Sequence, residues 1–204
     1  MTLLDATVRD LLHAFSASDP TPGGGSASAL AAATGSSLLV MVASLPKTRH
    51  GSDEDRQALA GAIPSLKARA QQLADAIDED AAAYDRVVAA YKLPKTTADE
   101  QAARNTTIAN AFRAATAVPL TVMKLSADAL EFARIVAAHG YHAAASDVGV
   151  AVALLRAALH GAGLNVDVNL RGKDDAYATA VRAEAERYAR RAAEAARAAE
   201  QALT

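Results

Sequence analysis

Fifty-five of the 204 residues are alanine. No other feature narrows the fold so far, because alanine is the strongest intrinsic helix former and its small side chain lets helix axes approach closely. Trp is absent, aromatics are 4% of the chain, and runs of β-branched residues with period two are missing, which disfavours a sheet. The expectation is an all-α protein, one domain over residues 1–204, built as an up-and-down bundle of about six or seven helices.

Lys and Arg number 21 against 23 Asp and Glu, a net charge of −2. That balance carries no electrostatic footprint for nucleic acid or for an anionic membrane surface. Cysteine is absent, which removes a disulfide framework, a thiolate zinc site and a thiol nucleophile. The opening MTLLDATVRDLLHAF places Asp5, Arg9 and Asp10 within its apolar pattern, unlike a secretory signal, so it reads as mature structure in the cytoplasm.

Leu4, Val8, Leu11, Leu12 and Phe15 have the spacing of an amphipathic first helix over Leu3 to Phe15. Asp19-Pro20-Thr21-Pro22-Gly23-Gly24-Gly25-Ser26 then breaks it. Ala27 to Leu45 follows without a charge, and only seven of those nineteen residues are Leu, Val or Met, which favours a buried central helix over a membrane span. Its ridge of Ala27, Ala31 and Gly35 suits a close-packed bundle contact or a dimer seam. Ser52 with Asp55 resembles an N-cap, opening a long helix from near Asp53 to about Tyr91 with a kink or break at Pro64. Thr97 and Glu100 have capping-box spacing, and the helix they open is expected to kink or split at Pro119 before resuming to His139, with Gly140 as a left-handed stop. A further helix over Ala144 to His160 is expected to end at Gly161 and Gly163, leaving Asn165 to Leu170 as an extended or irregular connector. The last helix, from near Asp174, pairs Glu186 with Arg190 on a solvated face.

Three features carry chemistry. The glycine run before a helix start is a cradle for an anion or a carbonyl, or else a plain connection. It lacks the Lys-Ser/Thr of a Walker loop and does not follow a strand, so both nucleotide readings are weak. Asp80 is the second. It interrupts a stripe of Leu66, Ala70, Leu73, Ile77, Tyr84, Val87 and Tyr91, where a carboxylate must find a partner, shift its pKa upward or line a wet cavity. The alternative is a core acid bonded to a tyrosine or an arginine. Asp147 is the third, the only Asp, Glu, Lys or Arg between Arg134 and Arg156, and it reads equally as a cap residue. His139 and His142 lack a third ligand at matching spacing, so no metal is expected.

Four blocks in order, PTPGGGSASALAAATG, DEDAAAYDRVVAAYKLPK, Val118-Pro119-Leu120 and SDVGVAVALLRAALHGAGLNVDVNL, resemble the cyclodeaminase-cyclohydrolase family of folate enzymes. That family includes formimidoyltetrahydrofolate cyclodeaminase, alone or fused to a formiminotransferase, and methenyltetrahydrofolate cyclohydrolase. The resemblance covers about residues 1 to 175, and the chain departs from the family pattern at Leu45 to His50 and at Tyr141-His142. It implies an all-helical homodimer, dimerising through helices, that acts on a one-carbon group held by tetrahydrofolate without metal or redox cofactor. Under it Asp80 and Asp147 share the acid and base roles. Pro22, Gly23, Gly24, Gly25, Ser26, Tyr84, Lys95, Asn165 and Asn169 are the expected substrate contacts. Lys47, Arg49, Lys92 and Lys95 are the cations near loops that could meet a glutamate tail. The competing reading is a non-catalytic helical bundle that binds a folate or a partner helix.

Overall fold

Polar caps open four of the six helices, and each sits where the local sequence supplies one. The computed structural model describes residues 2–204. Thr7 caps α1 (Val8–Ser16) by accepting from Asp10 N, and Ser52 caps α3 (Asp53–Tyr91) by accepting from Asp55 N. Thr97 and Glu100 form the expected capping box of α4 (Ala98–His139), and Asp175 caps α6 (Ala176–Leu203). The exceptions are α2 (Gly24–Ala43), which starts on Gly23 with no side-chain cap, and α5 (Ala145–Asn169), which follows a 3-10 turn over His142–Ala144.

The result is an all-α up-and-down bundle with no strand among the described residues. Helix α2 packs between α3 and α5, and α4 reaches α3, α5 and α6. With 39 and 42 residues, α3 and α4 are about twice the length of the 20-residue α2 and carry a small second core of Ala83, Val87, Ala90, Ala111 and Ala115 beyond it. Both α2 and the 142–169 segment are long and apolar enough to cross a bilayer; here each is packed against other helices of the bundle.

Several local expectations are corrected. Pro64 and Pro119 do not break or split their helices, which run on through them, because the packing of the flanking turns outweighs the lost backbone bond. Gly140 has φ −68° and is extended rather than left-handed. Gly161 and Gly163 do not end α5, which runs on through the supposed connector to Asn169. Gly161 is small for a packing reason instead: a Cβ there would lie 2.5 Å from Ser28 Oγ of α2. Nor does a loop persist to Ser26, since Gly24, Gly25 and Ser26 form the first turn of α2.

The ridge of α2 divides its work. Ala27 is exposed and Ala31 half-buried, while Gly35 is buried against α5, where a Cβ would lie 2.9 Å from Ala151 O and 3.0 Å from Leu155. Pairings of Gly24 with Asn165, Ser28 with Gly161 and Gly35 with Leu154 show antiparallel helices in steady register. The far end of the bundle is closed by Asp55, whose side chain is only 2% exposed. It accepts from His50 N at 2.7 Å and Thr48 Oγ1 at 3.3 Å, and His139 Nδ1 lies 2.9 Å away. Contact with His139, then the His50 amide, holds its carboxyl well below the usual carboxylate range.

Gly35→Ala separates two opposed effects. Helix propensity alone would gain about 1 kcal/mol, whereas the contact with Ala151 O makes this an overpacking change worth about 1–3 kcal/mol. Urea unfolding should show net destabilisation, and a variant as stable as the parent would reject the close α2–α5 contact.

Candidate active site

Where α2 starts, its bare N-terminus meets the middle of α3. Ser26, fully buried, donates its hydroxyl to Ile77 O at 2.9 Å and has Asp80 Oδ2 at 3.1 Å. A serine hydroxyl has one proton and two acceptor lone pairs. Ionised Asp80 therefore accepts from Ser26, and protonated Asp80 can donate to Ser26 while that hydroxyl turns to Ile77 O. The partnership holds in both charge states. Burial pushes the Asp80 carboxyl above its ordinary value, against the opposing hydroxyl and backbone N–H of Ser26.

Gly25 makes this contact possible, since a Cβ on it would fall on the Asp80 carboxylate. The glycine run is thus the gap through which a carboxylate reaches the first turn of a helix. Asp80 and Gly23, Gly24 and Gly25 form one end of a cavity of about 350 Å³. Asn165 and Asn169 of α5 line another side; each spends its amide nitrogen on a backbone carbonyl, Gly161 O and Ala115 O respectively, leaving its oxygen as an acceptor. Tyr84, Tyr91 and Phe112 supply an aromatic side, Tyr91 and Phe112 meeting edge to face with centroids 6.3 Å apart. A larger, more open groove of about 660 Å³ lies between α2 and α3, but Lys67 is its one charged lining residue and it holds no carboxylate.

Most of the expected residues therefore converge: Gly23, Gly24, Gly25, Asp80, Tyr84, Asn165 and Asn169 line one cavity, with Ser26 behind Asp80. Asp147 does not join them. It lies in the first turn of α5, 18 residues before Asn165 and hence about 27 Å away along the helix. Its isolation in an apolar sequence reflects a place near the helix start. Pro22 is not among the lining residues, although Pro20 and Thr21 are. Lys95 stands exposed in the turn beyond Tyr91. Arg49 is spent on Ala137 O and Ala202 O, and Lys47 sits 5.4 Å from the Tyr141 ring, both at the far end of the bundle. Sequence reasoning missed Phe112 and Val168 as wall residues. Tyr91 was visible on the Asp80 stripe, whereas Phe112 carried no signal on its own helix. No group of three or more His, Cys, Asp or Glu side chains among the described residues is arranged to hold a metal ion.

A half-buried carboxylate of raised pKa beside a helix N-terminus and a cavity is equipped to move a proton at a bound ligand. A family model described as formiminotransferase-cyclodeaminase matches residues 7–187. The chain belongs to that family. Among its relatives, methenyltetrahydrofolate cyclohydrolase of Methylorubrum extorquens is 38% identical over 169 residues, 83% of this chain and 81% of that protein. Formimidoyltransferase-cyclodeaminase of Rattus norvegicus is 33% identical over 85% of this chain, which spans 32% of that longer protein. The crystal structure of formiminotetrahydrofolate cyclodeaminase from Thermotoga maritima shares the fold with a TM-score of 0.86 at 22% identity, covering 98% of this chain and 96% of that one.

Within this formiminotransferase-cyclodeaminase fold the raised carboxyl of Asp80 has a stability signature. A folded-state pKa above the unfolded value, about 3.9, means that stability falls as pH rises through the window between the two. Asp80→Asn removes that fall and keeps an acceptor for Ser26. In urea titrations at pH 4 and pH 7 the variant should gain on the parent as pH rises and be no less stable at pH 7. A clear loss at pH 7 would make Asp80 a structural acid.

Proposed function

We propose that this chain is a folate one-carbon enzyme that hydrolyses 5,10-methenyltetrahydrofolate to 10-formyltetrahydrofolate, or closes 5-formimidoyltetrahydrofolate to the methenyl form with loss of ammonia. The observation that carries the reading is Asp80, held at the cavity by Gly25 and Ser26 with its carboxyl raised. Hydrolysis is favoured, because the cyclohydrolase relative matches over most of its own length. The closing reaction is the second reading, supported by the family match over residues 7–187.

Both reactions need one proton removed from a nucleophile and one delivered to a leaving nitrogen. In hydrolysis Asp80 takes a proton from water as its oxygen bonds to the methenyl carbon, and then returns it to N5 as the N5–carbon bond breaks, while the hydroxyl proton of the intermediate leaves to solvent as the formyl C=O forms. In closure, with the formimidoyl group protonated as CH=NH2+, Asp80 takes the N10 proton as N10 attacks the formimidoyl carbon, and returns it to the amine nitrogen as ammonia departs and the positive charge passes to the methenyl group. With Asp147 remote, one carboxylate performs both steps in turn, and Ser26 keeps it hydrogen-bonded throughout. The ionised form also lies where it would offset a cationic methenyl carbon. Neither reaction changes an oxidation state, so the reading includes no redox cofactor, and proton transfer by Asp80 asks for no metal. The Asn165 and Asn169 oxygens are acceptors for the ligand's N–H groups, and the aromatic side stacks against its rings.

Absorbance at the methenyl band tests this directly. A fall with methenyl substrate above the uncatalysed rate marks the hydrolase, a rise with formimidoyl substrate marks the deaminase, and no change in either rejects enzymatic function. Asp80→Asn should lower kcat by about 10²–10⁴, the usual worth of a general acid-base group, with little change in KM.

The same reading includes a cytoplasmic homodimer. The outward face of α2 at Ala27, Thr34, Ser37 and Met41 is exposed and carries no charge, and the open groove beside it is lined by Leu4 and Leu30. Light scattering should give about twice the 20.9 kDa chain mass, and Thr34→Arg should shift it toward the monomer. A wild-type monomer would reject the seam.

A further inference from the structure

The turn that leaves α5 carries Lys173 back over Phe112, a residue of the cavity wall, although Lys173 itself is not among the lining residues. Its Nζ lies 4.0 Å from the centroid of the Phe112 ring, and Phe112 lines the cavity with Asn169, four residues before Lys173. This is close for a cation over an aromatic face. The turn is well held: Lys173 N donates to Leu170 O at 3.0 Å, and Arg182 donates to both Leu170 O and Lys173 O.

What this ammonium lacks is an anion. Among the described residues it forms no ion pair, and neither does Arg113, the other cation acting on it. The neighbouring acids are engaged elsewhere. Asp174 pairs with Arg182 at 3.7 Å, and Asp175 accepts from Ala178 N as the cap of α6. Partial burial pushes the Lys173 amine below its ordinary value, with the Asp175 carboxylate opposing at longer range than an ion pair and Arg113 adding to the shift. A half-buried cation without a partner is costly unless a ligand supplies the opposite charge.

Its place along the cavity says which part of a ligand that is. Asp80 and Tyr91 both line the cavity from α3, and the 11 residues between them span about 16 Å of helix. Phe112 packs against Tyr91, so Lys173 stands at the end remote from Asp80. A tetrahydrofolate carries its reacting pterin nitrogens at one end and the carboxylates of its glutamate at the other, separated by an aminobenzoyl ring. The aromatic pair of Tyr91 and Phe112 lies where that ring would pass.

We propose that Lys173 is a specificity residue, binding the carboxylate tail of the folate at the rim opposite Asp80. The assignment rests on the folate reading of the cavity. Lys173 moves from the Phe112 face to the bound carboxylate, with Arg113 adding long-range attraction, and takes no part in proton transfer. Lys95, Lys92, Lys47 and Arg49 are not needed for this role.

The test compares two substrates that differ only in the tail: methenyltetrahydrofolate with one glutamate, and the methenyl derivative of tetrahydropteroate capped as its neutral amide, which has neither glutamate nor carboxylate. Lys173→Gln should raise KM for the glutamyl substrate roughly ten- to a hundredfold, the worth of one charge-assisted contact, with kcat within about twofold. KM for the pteroate substrate should not move, and Lys173→Arg should restore most of the loss. An unchanged KM for the glutamyl substrate, or an equal rise for both substrates, overturns the assignment. Wild-type protein that binds and converts neither substrate overturns the folate reading itself, and this assignment with it.

Discussion

Everything at the cavity depends on how closely α2 approaches its neighbours. Gly35 lies against the backbone of α5 at Ala151, Ser28 against Gly161, and Gly25 against the Asp80 carboxylate of α3. A methyl group at Gly25 or Gly35 would meet carboxylate or backbone at less than normal contact distance, so the positions of three helices are coupled to the absence of side chains on one. This is the use to which an alanine- and glycine-rich chain is suited. Dispersion between closely spaced backbones adds to the burial of larger apolar side chains. The seven largest fully buried side chains are all Leu or Ile.

That close approach has an electrostatic consequence. A helix N-terminus with no side-chain cap would normally take its first-turn acceptors from water. Here Asp80 provides one through the Ser26 amide, yet burial still leaves its carboxyl raised. The balance matters for chemistry. Full neutralisation by more donors would give an inert carboxylate, as at Asp55, where several donors surround the group and its carboxyl is pushed far down. The buried Asp55 and the half-buried Asp80 of α3 thus have opposite characters: Asp55 closes the bundle at one end, and Asp80 stays able to exchange a proton at the other.

The division between ends also explains the fate of Asp147. Read locally, it and Asp80 are alike, since each is an acid in an apolar stretch. Antiparallel register between α2 and α5 pairs Gly24 with Asn165, which carries the start of α5 to the end of the bundle away from the cavity. The same register brings in Asn165 and Asn169, which gain their place only because α5 continues through Gly161 and Gly163. A glycine read as a stop signal was instead a contact point, and only the neighbouring helix distinguishes the two.

The sequence by itself determined the all-helical class, through alanine content and the caps at Ser52 and Thr97, because these act within a few residues and need no partner. It also marked Asp80, Tyr84 and Tyr91, since a stripe with helical period shows which residues share a face, and the ordered motifs identified the family. Tertiary structure alone decided which end of each helix meets which. That choice separates Asp80 from Asp147, converts the glycine run from loop to first helical turn, and brings Phe112 to the cavity with Lys173 over its ring, from segments distant in the chain. The physical reason is range: hydrogen-bonded caps and periodicity are set over one or two turns, whereas desolvation, an unpartnered charge and the fit of a Cβ depend on atoms that only packing brings near.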